Sequence, residues 1–139
     1  DMAGTGARYF FLFLVGLVMG AVLTVMGLRA WQARQDPFPD AVMHMQEHHL
    51  GALKANLDAN RCNATDTLPH FNALRMTADD IEAAFPDLKD DARFAKAASN
   101  FRATLDTARA NPPLNCEGLV AVVKNIDDSC KACHQDFRN

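Results

Sequence analysis

Two apolar patterns divide the chain. From Tyr9 to Leu28 the sequence YFFLFLVGLVMGAVLTVMGL carries no charge and no polar alternation. A helix of about 20 residues rises about 30 Å, the thickness of a bilayer's hydrocarbon core. Arg8 and Arg29 bracket the run, and Trp31 follows at the depth where indole rings favour the membrane interface. This pattern predicts a membrane anchor over residues 1–32, with a transmembrane helix at about 9–30 lying in the lipid bilayer. The competing reading is a cleaved signal peptide, whose apolar core is shorter than this run.

After a linker at 33–39 (ARQDPFP), whose prolines stop the first helix from running on, apolar residues recur at helical spacing. Met43, Gln46, Leu50, Leu53 and Leu57 share one stripe of a helix expected from about 40 to 59. A second helical region covers 68–85, with a fresh N-cap expected at Thr77 in TADD and an end at Pro86. A third runs from about 87 to 109, with Phe94, Ala97, Ala98, Phe101 and Leu105 in register, and stops at Asn111–Pro113. A fourth starts near Asn115 and carries Leu119, Val122, Val123, Ile126 and Cys130 on its apolar face. No segment alternates as a strand does. The expectation is an all-α chain: a transmembrane helix, then an antiparallel up-down-up-down four-helix bundle over 40–139.

The net charge of −3, with no run of Lys or Arg, argues against nucleic acid as a partner. No Ser/His/Asp triad, carboxylate pair or phosphate loop stands out, so independent enzyme activity is not expected.

The chemistry is concentrated near the end, in CKACH. Cys-x-x-Cys-His is the attachment signal of c-type heme. Two thiols about one helical turn apart can add to the two vinyl groups of one porphyrin. The next residue is then held beneath the iron and supplies an axial nitrogen. Cys130 and Cys133 are the expected thioether links and His134 the proximal iron ligand. A zinc site would need two further ligands, and Cys62 and Cys116 form no second C-x-x-C pair. A thioredoxin-like dithiol would follow a strand, and none is expected.

A helical domain of about 100 residues with its C-x-x-C-H at the C-terminal end resembles cytochrome c′, the class II cytochromes c. The likeness is strongest over NIDDSCKACHQDFR, Asn125 to Arg138, where the family often reads G-x-x-C-K-x-C-H-x-x-[YF]-R. MHMQEHHLGALKANL, Met43 to Leu57, is similar to the family's helix A in its low-spin members, and AAFPDL, Ala83 to Leu88, to the end of its helix B. The resemblance covers 40–139 and omits the anchor. It implies one covalent heme c in a four-helix bundle. Counted back from Gly51, it places the distal position at Met43, a methionine ligand in low-spin members and a noncoordinating residue in five-coordinate ones. It also implies that Arg138, after the motif, pairs with a propionate.

Cys62 and Cys116 remain. Outside the cytoplasm spare cysteines pair, and these two are expected at the same end of the bundle, so a disulfide is expected; two free buried thiols are the alternative. Met43 lies about 28 Å from that end along the first helix of the bundle, and His134 about 27 Å along the fourth. His48 and His49 fall roughly 8–9 Å short of that level. They remain alternatives to Met43 as distal ligand, as does an open site. Phe85 and Phe94 are expected at the heme end, walling it from water.

The linker is short enough to keep the heme end near the membrane. Gly16 and Gly20, in G-x-x-x-G, would let the membrane helix approach another. The expected function is therefore electron transfer by a single-pass c-type cytochrome, carrier to or subunit of a respiratory or photosynthetic complex. It would lie in the bacterial inner membrane with its heme domain on the periplasmic side. Its partner would be an integral membrane redox complex, or a second copy through the transmembrane helix. A five-coordinate NO- or CO-binding cytochrome and a structural accessory subunit are the alternatives.

Overall fold

The computed structural model describes residues 2–138, with side chains from Gly4 to Arg138; the outermost positions of the expected ranges, Asp1 and Asn139, lie outside the described residues. Among the described residues the chain is all-helical, with no strand. It has two compact units, Asp1–Asp36 and Pro37–Asn139.

The first unit is one helix, α1 (Met2–Gln32), of which Gly4–Gln32 is long and apolar enough to cross a membrane. It begins well before residue 9, because backbone hydrogen bonding continues through Arg8 wherever the local residues tolerate a helix. Its large apolar side chains, Tyr9 through Trp31, are exposed. Thr24 is accommodated by donating its hydroxyl to the Gly20 carbonyl at 2.8 Å.

The second unit holds α2 (Phe38–Asp58), α3 (Ala64–Ala78), a short α4 (Ile81–Ala84), a 3-10 turn (Pro86–Leu88), α5 (Ala92–Ala110) and α6 (Cys116–Phe137). Side-chain oxygens start three of these helices. Asn63 accepts the Asp66 N–H, Asp91 the Arg93 N–H and Asn115 the Gly118 N–H, each satisfying an amide that has no carbonyl a turn earlier. Four boundaries differ from the sequence pattern. Pro37 and Pro39 open α2 instead of belonging to a linker, as proline fits the first turn. The Asn63 cap starts α3 ahead of 68, with Pro69 inside it. Thr77 is no cap. It lies buried near the end of α3, and the break comes at Asp79–Asp80. Likewise α5 starts at its Asp91 cap, after the 3-10 turn, and not near 87.

Each of α2, α3, α5 and α6 packs against two of the others: α2 on α3, α3 on α5, α5 on α6 and α6 on α2. Leu53, Phe71, Leu74, Leu105, Leu119 and Ile126 are fully buried between them. Each such side chain contributes about 1.5–3 kcal/mol by leaving water. Three polar residues, Gln46, Thr67 and Thr77, are buried with it. Gln46 is 7% exposed, and its amide donates to the Leu74 carbonyl at 3.0 Å and the Thr77 hydroxyl at 2.7 Å. That pair of bonds fastens α2 to α3 and explains the burial of Thr77.

Cys62, just after α2, and Cys116, the first residue of α6, lie at disulfide distance, with Cα atoms 5.0 Å apart. Further along, Lys54 on α2 meets Asp127 on α6 at 3.2 Å. Residue numbers fall along α2 as they rise along α6, so these two helices are antiparallel.

Candidate functional site

The cysteines of CKACH inherit their position from the core-facing stripe of α6. Leu119, Val123 and Ile126 are buried, and Cys130, Cys133 and Phe137 continue the stripe at spacings of three and four, packed against the core but partly exposed. His134 follows Cys130 by one turn and is exposed. Both thiols are free. They therefore stand on one helical face with the imidazole beside them, at the rim of the core and open on the outer side.

Their electrostatics fit a neutral thiol. Burial, aided by the negative charge of Asp127 and by Cys133, pushes the Cys130 thiol up to about 11. Burial and then Asp136 push Cys133 up as well. Asp127 itself is held below the usual carboxylate range by hydrogen bonds from Lys131 and Lys54. Among the described residues no three His, Cys, Asp or Glu side chains converge on a point that could hold a metal ion. A heme site makes a different demand: two thiols for covalent links and one imidazole, with a thioether or nothing opposite. The residues present meet that demand.

An aromatic cluster gathers around Phe137, near the C-terminal end of α6. Phe94, only 2% exposed, stacks edge-on against Phe137 at 5.3 Å between centroids and against Phe85 at 6.1 Å. Each such pair contributes roughly 0.5–1.5 kcal/mol beyond area burial. Phe85 and Phe94 thus share the end of the unit where α6 carries Cys133 and Phe137. The sequence reading did not single out Phe137, although its place four residues after Cys133 on the apolar stripe was the available signal. The Arg93 guanidinium covers the outer face of the Phe137 ring at 5.5 Å. Arg138 is exposed at the end of α6, its backbone N–H donating to the His134 carbonyl at 3.3 Å.

On α2 the candidate ligands point different ways. Lys54 marks the face turned to α6. Met43 lies three turns before it on that face, partly buried and packed against the core. From the Lys54–Asp127 pair, Met43 is about 16 Å and His48 about 9 Å along α2, and His134 about 10 Å along α6, so His48 does not fall short of the level of His134 as the sequence spacing suggests, and height along the helices does not by itself select Met43. His49 is turned to α3 instead, its Nδ1 3.1 Å from Nδ1 of His70. Burial, followed by the neighbouring His70 and His48, pulls its pKa below the ordinary histidine value. His48 is exposed, its ring edge-on to His49 at 5.0 Å. His44 is exposed beside Glu47 at 3.9 Å.

Comparison with protein-family models, curated proteins and solved structures finds no match to this chain.

Proposed function

We propose that the chain is a membrane-anchored c-type cytochrome of electron transfer, its second unit a four-helix bundle similar to cytochrome c′. The observation that carries this reading is the division of the four cysteines. Cys62 and Cys116 pair with each other, which leaves Cys130 and Cys133 as free thiols on one helical face with His134. Cys130 and Cys133 hold heme c through thioethers, and His134 holds its iron. When bound, the heme supplies one-electron Fe(III)/Fe(II) chemistry.

The remaining residues set the properties of that centre. Met43 would supply the second protein ligand to the iron, favoured over His49 because His49 already faces His70, and over His48 because Met43 packs against the core on the face of α2 turned to α6. A thioether opposite imidazole favours the ferrous state relative to two imidazoles. Phe85, Phe94 and Phe137 exclude water from the inner side. Arg138 is placed to meet a propionate. The apolar helix α1 anchors the chain in the bacterial inner membrane with the heme unit on the periplasmic side, where c-type heme is attached and disulfides persist. Its partner is an integral membrane redox complex, and Gly16 and Gly20 offer α1 a close-packing surface for a helix of that complex or of a second copy.

Mass spectrometry of the chain expressed with heme-attachment machinery is the primary test. The expected result is the polypeptide plus one heme, lost in Cys130→Ala/Cys133→Ala. The bare polypeptide mass would end the proposal. Near-infrared magnetic circular dichroism then separates Met/His from His/His ligation. A ferrous form that binds CO at once and shows a high-spin spectrum would replace electron transfer with gas binding at an open iron.

A further inference from the structure

The histidines of α2 that the heme does not use form a feature of their own. His49 and His70 come from different helices, and both are half-buried. Their Nδ1 atoms face one another at 3.1 Å, with ring centroids 5.4 Å apart. Two imidazole nitrogens at that separation have two ways to avoid lone-pair repulsion: one proton between them, or one metal ion. We propose that His49 and His70 form a divalent metal site joining α2 to α3, separate from the heme, with copper(II) as its preferred ion and zinc(II) as a weaker one.

The geometry suits this ion class. With metal–nitrogen bonds of about 2.05 Å, nitrogens 3.1 Å apart subtend roughly 100° at the metal, between the square-planar and tetrahedral angles. Coordination then needs the rings to tilt until their centroids are about 4.8 Å apart, a small change for a side chain at the rim of the core. Neutral imidazole is a good ligand for copper and zinc, and copper(II) binds such nitrogen sites more tightly. No net proton is released on binding. The Nδ1 proton that one ring shares with the other moves through solvent to Nε2 of the same ring, and both Nδ1 lone pairs go to the metal. Among the described residues no third ligand group converges there, so water completes the coordination and affinity stays moderate. The exposed His48 stands next to the pair, its ring 5.0 Å from that of His49.

An ion held by both helices binds the folded state in preference to the unfolded one and so raises its stability by mass action. Neither ring belongs to the expected heme ligand set of His134 and Met43, so the two sites can be tested apart.

The test is titration of the full-length holoprotein in detergent with copper(II), then zinc(II), followed by calorimetry, thermal unfolding and electron paramagnetic resonance. One copper(II) per chain is expected, with nitrogen hyperfine splitting and a raised melting temperature. His70→Ala should weaken binding at least tenfold and abolish the thermal shift while leaving the heme spectrum and helicity unchanged. His44→Ala/His48→Ala should bind as the parent does. Equal affinity in parent and His70→Ala, or loss of binding in His44→Ala/His48→Ala alone, would overturn the proposal, the latter by assigning the ion to the exposed pair four residues apart. Absence of any specific site in the parent would overturn it as well, and would leave the heme reading untouched.

Discussion

Removal of the link between Cys62 and Cys116 should destabilise the second unit about as much as truncating one of its large buried side chains. The two residues are separated by 54 positions. Closing a loop of that length removes about 14 cal/mol/K from the entropy of the unfolded chain, or about 4 kcal/mol at 25 °C. The expected thioethers close only a short loop within α6 and do not share the effect. For a domain near 100 residues, about 4 kcal/mol corresponds to a fall in Tm of roughly 15–25 °C. The variant is Cys62→Ala/Cys116→Ala, compared with the parent by differential scanning calorimetry in detergent, since Trp31 and Tyr9 both lie on α1 and leave the second unit without a tryptophan or tyrosine signal of its own. Thiol titration of the denatured parent gives an independent reading. No free thiol means one disulfide and two thioethers, and four mean neither; two mean one pair alone, and the presence or absence of the heme mass then says which. A fall below about 5 °C with no free Cys62 or Cys116 thiol in the parent would refute the loop-closure reasoning.

Three further outcomes follow from the packing and electrostatics. Thr77→Val removes a buried acceptor from the Gln46 amide and should cost about 1–2 kcal/mol in denaturant unfolding, with Thr77→Ser near the parent. Asp127 has a folded-state pKa held below its ordinary value of 3.8, so its contribution is present above that value and lost as pH falls through the lower one. Acid unfolding below about pH 4 should therefore be shallower in Asp127→Asn. In chain made without heme attachment, Cys130 with its thiol pushed up to about 11 should react with iodoacetamide at pH 8 about 100-fold more slowly than in denaturant, as mass spectrometry of the labelled peptide would show.

Some of this molecule is written in local order along the chain. The unbroken apolar run of α1, the helical spacing from Met43 to Ile126, the start of α6 near Asn115 and the spacing within CKACH depend on a residue and its near neighbours, so they are legible without a fold. The same holds for the all-helical class, since strand alternation is nowhere present. The boundaries suffered where a local signal had two meanings. TADD has the form of a cap, yet Thr77 is drawn into the core because Gln46 of α2 needs an acceptor there. Two prolines read as a linker, yet they sit where a helix can begin.

What tertiary structure alone decided is the direction in which each side chain of MHMQEHH is spent. Spacing along α2 separates the histidines from Met43 but cannot say that His49 meets His70, because that contact depends on how α2 and α3 are set against each other. Nor could it single out Phe137 as the partner of Phe94, a contact made across α5 and α6. A helix defines its own faces through its period; which neighbour each face meets, and at what height, is settled only when several helices bury their apolar stripes together and one register leaves the fewest polar groups without partners.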